Sequence, residues 1–341
     1  MRQYFLNVVT HKRNGIDAKV LRMLLLVGSY CYRVLLYIVR EVSTGNKKKL
    51  PHPVISVGNI TWGGTGKTPL IGLLIEQLNK QGKKIAVLMR GYGNDEDVLL
   101  RTQYPHVAVI CGKKRYKNAM AHLAVNKTDI FLLDDGFQQW ELCRDFDIVT
   151  VNCLDPWGNG HLIPRGSLRE PISTLQRAHC VILTNASLVS EEMRTKIKNC
   201  LKDFIAEENI LEGVHKPLYF YKASTPQETI PLETFQGKKA LVFSGIGSPT
   251  SLKLSLEKLG VTIVQYFTFD DHHVYSSDDF LAIQDEKKTD SSLAIITTEK
   301  DFMRDQLRMK KELNPYILKI TFELQDMYGT FSRRLDRILG S

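Results

Sequence analysis

The chain has 341 residues, more than one comfortable core holds, so two domains are the default expectation. With 43% apolar and 24% charged residues and no low-complexity tract or internal repeat, the composition excludes a disordered or fibrous protein. Residues 1–50 hold ten Lys/Arg against Asp17 and Glu41 and so carry +8 of the net +9, which points to a basic N-terminal arm and away from a basic nucleic-acid-binding fold. The six cysteines, at 31, 111, 143, 153, 180 and 200, form no C-x-x-C pair, which argues against a zinc site or disulfide framework and for a reducing, cytoplasmic setting.

In chain order, the first element is the apolar run "MLLLVGSYCY", resumed after Arg33 by "VLLYIV". A spanning helix needs about 20 apolar residues, so its length and Arg33 argue against a transmembrane segment. Leu21, Leu24, Leu25, Tyr32, Leu35, Leu36 and Val39 recur at helical spacing. Two readings stay open: an interfacial membrane helix with Arg22, Arg33, Arg40 and the Lys47–Lys49 run at the headgroups, or a core helix with a solvated charged face. A signal peptide is disfavoured, because no small-residue cleavage site follows the run.

From residue 54, short apolar runs alternate with amphipathic stretches, as in parallel sheets wrapped by helices. Strands are expected at 54–58, 84–89, 107–111, 130–135, 147–152 and 180–185, then at 218–223, 240–245, 262–267, 293–298 and 316–324. The fold class is α/β, as two doubly wound units. The expected divisions are a membrane-associating segment over 1–50, a first domain over 51–215 and a second over 216–341. The boundary is placed at a Gly-Val-His-Lys-Pro turn, the strands at 218–223 and 316–324 are expected to pair between domains, and "MYGTFSRRLDRILG" reads as a closing helix.

The stretch "ISVGNITWGGTGKTPL" follows the first strand and opens an apolar-striped helix, the order a phosphate cradle requires. Thr61 stands where the common pattern has a glycine. Gly63, Gly64, Thr65 and Gly66 still offer backbone N–H groups at a helix N-terminus, Lys67 can reach the β and γ phosphates, and Thr68 can hold Mg²⁺. The competing reading is a glycine-rich turn with an incidental lysine. In "IFLLDDGFQQ" the strand ends in Asp134 and Asp135, which alone would read as a turn but beside such a loop read as metal-holding carboxylates. A guanine-reading N-K-x-D is absent; "TNAS" and "TEKD" do not fit, which favours adenine.

Seven ordered strings, "ISVGNITWGGTGKTP", "MRGYG", "LLDDGFQQ", "GHLIPRGSLREP", "FSGIGSP", "FDDHHVYS" and "TTEKDFMR", resemble the motifs of the tetraacyldisaccharide 4'-kinases over roughly residues 10 to 325. The resemblance implies two α/β/α sandwich units, the first P-loop NTPase-like, joined by a two-stranded connection, with an N-terminal membrane-associating helix. It implies ATP and Mg²⁺ as cofactors and transfer of the γ-phosphate to the 4'-hydroxyl of tetraacyldisaccharide 1-phosphate in lipid A biosynthesis. It also implies a peripheral or monotopic place on the cytoplasmic face of the bacterial inner membrane, with a lipid substrate, no nucleic acid and no obligate protein partner.

The same resemblance makes Thr61 an expected small hydroxyl residue in the cradle and places Asp134, Asp135, Thr68 and Glu170 around the metal. Gln138 then holds a water or phosphate, and Arg169 is a phosphate fork. Asp95 is carried over as the base from the family's Gly-Asp-Glu-Pro element, here "NDED" directly after "RGYG", with His272 of "DDHH" as its partner. Arg90 and Tyr92 are expected to line the cleft. For Arg165 a solvated loop arginine is an equal reading, and His273 carries no role. Two rivals remain: an NTPase switch driving a partner protein, and a non-catalytic membrane-surface module with a relic loop.

Overall fold

The computed structural model describes Val8, residues 13–91 and residues 94–340, with Asn94 and Asp95 described by backbone alone. Its first long element, α1 (Ile16–Gly45), is one uninterrupted 30-residue helix. Arg33 and Arg40 do not break it, so length is no obstacle: by length and composition α1 can cross a membrane. Ala18 and Ser29 are its buried residues, while Ile16, Met23, Leu24, Val34, Leu35 and Val42 are exposed. The core-helix reading therefore fails, because α1 leaves most of its apolar side chains outside the fold.

The first half is a parallel sheet of β1 (Val54–Gly58), β2 (Ile85–Met89), β3 (Ala108–Cys111), β4 (Ile130–Asp134), β5 (Phe146–Asn152) and β6 (Cys180–Thr184), in the order β6-β5-β1-β4-β2-β3. Five of these strands are buried at every residue, β3 being the exception. That two-faced burial is why they read as apolar runs rather than alternations. Their crossovers include α2 (Lys67–Lys80), α3 (Asn94–Gln103), α4 (Arg115–Leu123) and, after β6, α5 (Glu191–Lys202). Leu70, Ile71, Leu74, Ile75 and Leu78 of α2 form its buried stripe and pack on Ile55, Val57, Val87 and Leu132.

The second half holds β7 (Ile210–Lys222), β8 (Thr225–Ile230), β9 (Lys239–Ser244), α6 (Pro249–Lys258), β10 (Thr262–Thr268), α7 (Ser277–Thr289), β11 (Ala294–Thr298), α8 (Glu299–Arg304), α9 (Gln306–Glu312), β12 (Tyr316–Gln325) and α10 (Thr330–Leu339). Strands β10, β9, β11 and β12 are parallel neighbours; β12 then pairs antiparallel with β7, and β7 pairs parallel with β6. The result is an α/β fold in which two helix-wrapped units share one continuous 12-stranded sheet.

Three expectations change. The turn expected at residues 213–217 is strand: β7 runs through it, with Val214 and His215 paired to Glu323 and Phe322. Pro217, which has no N–H to give a ladder, sits where the β7–β12 register shifts. The polar strand β8, absent from the expected set, is an edge strand on β7 without an apolar alternation to reveal it. Finally, α10 was expected to close the second unit, yet Phe331 and Leu335 pack into the core of the first, with the Phe331 and Phe146 rings 5.4 Å apart.

Candidate active site

The loop between β1 and α2 lies at the carboxyl ends of the parallel strands, where such sheets bind ligands. Its shape is set from below. Asn59 Nδ2 donates to Thr65 Oγ1 at 2.9 Å, Thr65 Oγ1 meets Thr150 Oγ1 at 2.9 Å, and the Thr65 carbonyl accepts from Thr184 Oγ1 at 3.0 Å. Gly63 and Gly66 are left-handed, with φ of 112° and 80°, conformations costly for any side chain. Thr61 is not left-handed; it is buried and bridged to Leu168. That resolves the odd residue in the motif: the position is extended backbone, so no glycine is needed. Thr61 braces the loop from outside the cavity, whereas Gly63, Gly64, Thr65, Gly66, Lys67 and Thr68 line it.

The acids at the end of β4 divide their work. Asp135, left-handed at φ 50°, takes both carboxylate oxygens to Arg169 Nη1 at 2.8 Å and lies 3.6 Å from Lys67 Nζ. Burial pushes its carboxyl up, but Lys67 and then Arg169 more than offset this and hold it below the usual range. Asp134 is buried, and its Oδ1 has no protein partner among the described residues. Burial, reinforced by Glu96, raises its carboxyl to about 7 against the pull of Lys67. A buried, unpartnered carboxylate oxygen beside a phosphate cradle fits a magnesium ion, with the Thr68 hydroxyl on the same cavity wall. Among the described residues no three His, Cys, Asp or Glu side chains converge.

Gln138 is in reach of the cavity, but its amide is engaged: Nε2 donates to the Asn59 carbonyl and to Glu170 Oε1, both at 2.9 Å, and Arg169 Nη1 lies 3.3 Å from its Oε1. Glu170, expected in the metal shell, is fully buried and does not line the cavity. Its other oxygen pairs with Arg177 Nη2 at 2.6 Å. Burial raises its carboxyl although Arg177 opposes this. Glu170 therefore stands behind the site, bracing Gln138 and Arg177.

The second half closes the other side. Gly247 of the loop after β9 touches Gly64: a Cβ on Gly64 would lie 2.8 Å from the Gly247 carbonyl carbon. His272 lines the same cavity in a left-handed conformation, with its Nε2 3.7 Å from Asp271 Oδ2. Its expected partner, the Asp95 side chain, lies outside the described residues, as does Tyr92. Arg90 lines the cavity. His273 has a structural place, stacked on Phe269 and bonded to Asp279 Oδ2 at 2.9 Å. Arg165 is buried, not solvated; its N–H donates to Ser29 Oγ at 3.1 Å. Between the halves, Lys300 Nζ lies 3.2 Å from Glu96 Oε1 and 3.4 Å from Asp271 Oδ1, and Glu96 Oε1 accepts from Thr68 Oγ1 at 3.3 Å. The open cleft so lined measures about 1840 Å³, larger than the range of about 300–1,000 Å³ common for a single small ligand.

A family profile described as Tetraacyldisaccharide-1-P 4'-kinase matches residues 21–339. The chain belongs to the tetraacyldisaccharide-1-P 4'-kinase family. It is 32% identical to the tetraacyldisaccharide 4'-kinase of Halothermothrix orenii over 95% of both chains. It is also 32% identical to a probable mitochondrial tetraacyldisaccharide 4'-kinase of Arabidopsis thaliana, over 88% of this chain and 85% of that one. The crystal structure of "apo" form LpxK from Aquifex aeolicus in complex with ATP superposes with a TM-score of 0.71 at 26% identity, covering 94% of this chain and 99% of that one.

Within this 4'-kinase framework, the cavity residues left without a role by the sequence reading include Glu96, Lys300, Asn185 and His215. Glu96 and Lys300 meet only through the fold, being 204 positions apart. Asn185 carried a usable signal, since it follows the last residue of β6, a parallel strand whose carboxyl end faces the cradle.

Proposed function

We propose that this chain is the ATP-dependent kinase that phosphorylates the 4'-hydroxyl of tetraacyldisaccharide 1-phosphate, working with Mg²⁺ at the cytoplasmic face of a bacterial inner membrane. The observation that carries this reading is the cluster Lys67–Asp135–Arg169 beside the unpartnered Asp134 oxygen, in a cavity large enough for two substrates. Phosphoryl transfer needs little covalent help; it needs the donor held, the charge neutralised and the acceptor hydroxyl positioned.

Backbone N–H groups of Gly63–Gly66 hold the phosphates, and Lys67 and Arg169 supply positive charge where the equatorial oxygens spread theirs. Asp135 aims both cations, because its carboxylate is their shared anchor. Thr68 and Asp134 would hold the magnesium ion, which, when bound, neutralises charge on the β and γ phosphates. Asp95, with His272 from the other unit, takes the proton from the sugar hydroxyl; this role rests on the family motif. Residues 51–215 and 216–341 then act as two lobes around the cleft.

What supports a membrane seat is α1. Ser29 Oγ donates to the Leu162 carbonyl at 2.8 Å, and Tyr32 OH donates to the Arg169 carbonyl at 2.9 Å. A helix whose middle is tied by polar bonds to the kinase body cannot bury that middle in hydrocarbon, so α1 lies along the interface with its free apolar face in lipid. The test is transfer of labelled γ-phosphate from ATP to detergent-solubilised tetraacyldisaccharide 1-phosphate. Wild type is expected to phosphorylate the acceptor, Asp95→Ala to lose nearly all turnover, and Lys67→Met about a thousandfold or more. Hydrolysis without transfer by wild type would sink the kinase reading.

A further inference from the structure

Beneath the cradle lies a chain of three polar side chains that phosphoryl transfer itself does not use: Asn152, Asn185 and His215. Its direction is fixed link by link. Asn152 Nδ2 lies 3.2 Å from the Gly64 carbonyl, which can only accept, and Asn152 Oδ1 lies 3.1 Å from the Leu154 N–H, which can only donate. The Asn152 amide therefore has one orientation. Asn185 Nδ2 donates to Asn152 Oδ1 at 2.9 Å, which turns Asn185 Oδ1 toward His215 Nδ1, 3.0 Å away. An amide oxygen only accepts, so Nδ1 carries the proton. In a neutral ring, Nε2 is then a lone-pair acceptor.

The ring is kept neutral by its surroundings: burial pushes the imidazole down to about 4. Phe322 meets it edge-on with centroids 5.1 Å apart, and the His215 Cε1 lies 3.3 Å from where a Cβ on Gly66 would stand. Nε2 has no hydrogen-bond partner among the described residues, and the ring lines the cavity with Phe322 beside it. An acceptor of fixed polarity, set between Phe322 and the last glycine of the cradle, faces the cavity into which the nucleoside of a cradled nucleotide would extend. We propose that His215 Nε2 reads a hydrogen-bond donor on that nucleoside, so that His215 is a specificity-determining residue and Asn152 and Asn185 are its positioning residues.

The donors an adenine nucleoside offers are the 6-amino group and the ribose hydroxyls; guanine presents an acceptor oxygen in place of the amino group. The inference rests on the nucleotide-binding reading above, so its test is equilibrium binding without acceptor lipid. Calorimetry would compare ATP with purine riboside triphosphate, which lacks the 6-amino group, and with 2'-deoxy- and 3'-deoxy-ATP, on wild type and His215→Phe. Wild type is expected to bind one analogue about tenfold more weakly than ATP, as befits one lost hydrogen bond. His215→Phe is expected to bind ATP and that analogue alike. Which analogue is penalised assigns the contact to base or ribose. If no analogue is penalised, or if the penalty survives in His215→Phe, the proposal is overturned while ATP binding stands. Failure of wild type to bind ATP at all would instead overturn the nucleotide reading. Should His215→Phe not fold, nitrogen NMR of the wild-type imidazole decides independently. A neutral Nδ1–H ring at pH 6 is expected, and an Nε2–H or doubly protonated ring overturns the proposal.

Discussion

Replacing His215 by glutamine isolates a proton equilibrium buried under the phosphate cradle. The imidazole falls from its ordinary 6.5 to about 4 because burial disfavours its charged form. Between those values the unfolded chain binds a proton that the folded chain refuses, so stability rises with pH through the window and is lost as pH falls. A drop of about two and a half units, at about 1.4 kcal/mol each, bounds the effect near about 3.5 kcal/mol; at pH 4.5 the wild type should have lost about 2.5 kcal/mol on this account. Urea denaturation of wild type and His215→Gln at pH 7.5, 6.0, 5.0 and 4.5 measures it, since titrations common to both proteins cancel in the difference. The advantage of wild type over the variant should shrink by about 2–3 kcal/mol across the series. Curves that run parallel within about 0.5 kcal/mol would refute a neutral, half-buried imidazole, and with it the fixed polarity of its chain.

Three further outcomes test the rest of the site. Arg169→Ala should lower kcat/KM for phosphate transfer about a hundredfold or more, with thermal unfolding little changed, because it removes a charge on the transferring group and the anchor of Asp135. Asp134→Asn should weaken magnesium-dependent nucleotide binding while leaving the magnesium-free affinity nearly unchanged; equal loss in both conditions would argue for a packing role. Leu24→Glu combined with Leu35→Glu, both on exposed positions of α1, should reduce co-sedimentation with anionic lipid vesicles without changing the urea midpoint. Unchanged vesicle binding would count against α1 as the membrane seat.

What the sequence disclosed, it disclosed through local pattern. β1, β2, β4, β5 and β6 were legible because burial on both faces leaves a continuous apolar run, and the cradle was legible because its residues are consecutive. The features that escaped depend on distant partners. Strand β7 continues through a segment that reads as a turn because β12 supplies its ladder, and α10 joins the first core through Phe146. Glu170 shows the same limit from the other side: its motif placed it near a metal, but only the packing of Gln138 and Arg177 reveals both its oxygens engaged. Thr61 looked like a defect in a motif and is a bridged, extended residue for which glycine would serve no purpose.

The tie between α1 and the kinase body is very short. Tyr32 holds the carbonyl of the same residue whose guanidinium grips Asp135, and Ser29 holds the loop about three turns of helix away from Arg40, a residue whose charge is felt at Glu170. Any displacement of that helix is thus delivered within a few bonds of Asp135. Cutting α1 away to make a tractable soluble enzyme would remove Tyr32 from the cavity lining together with both polar ties of α1 to the kinase body, so the truncated chain should turn over more slowly than the whole one.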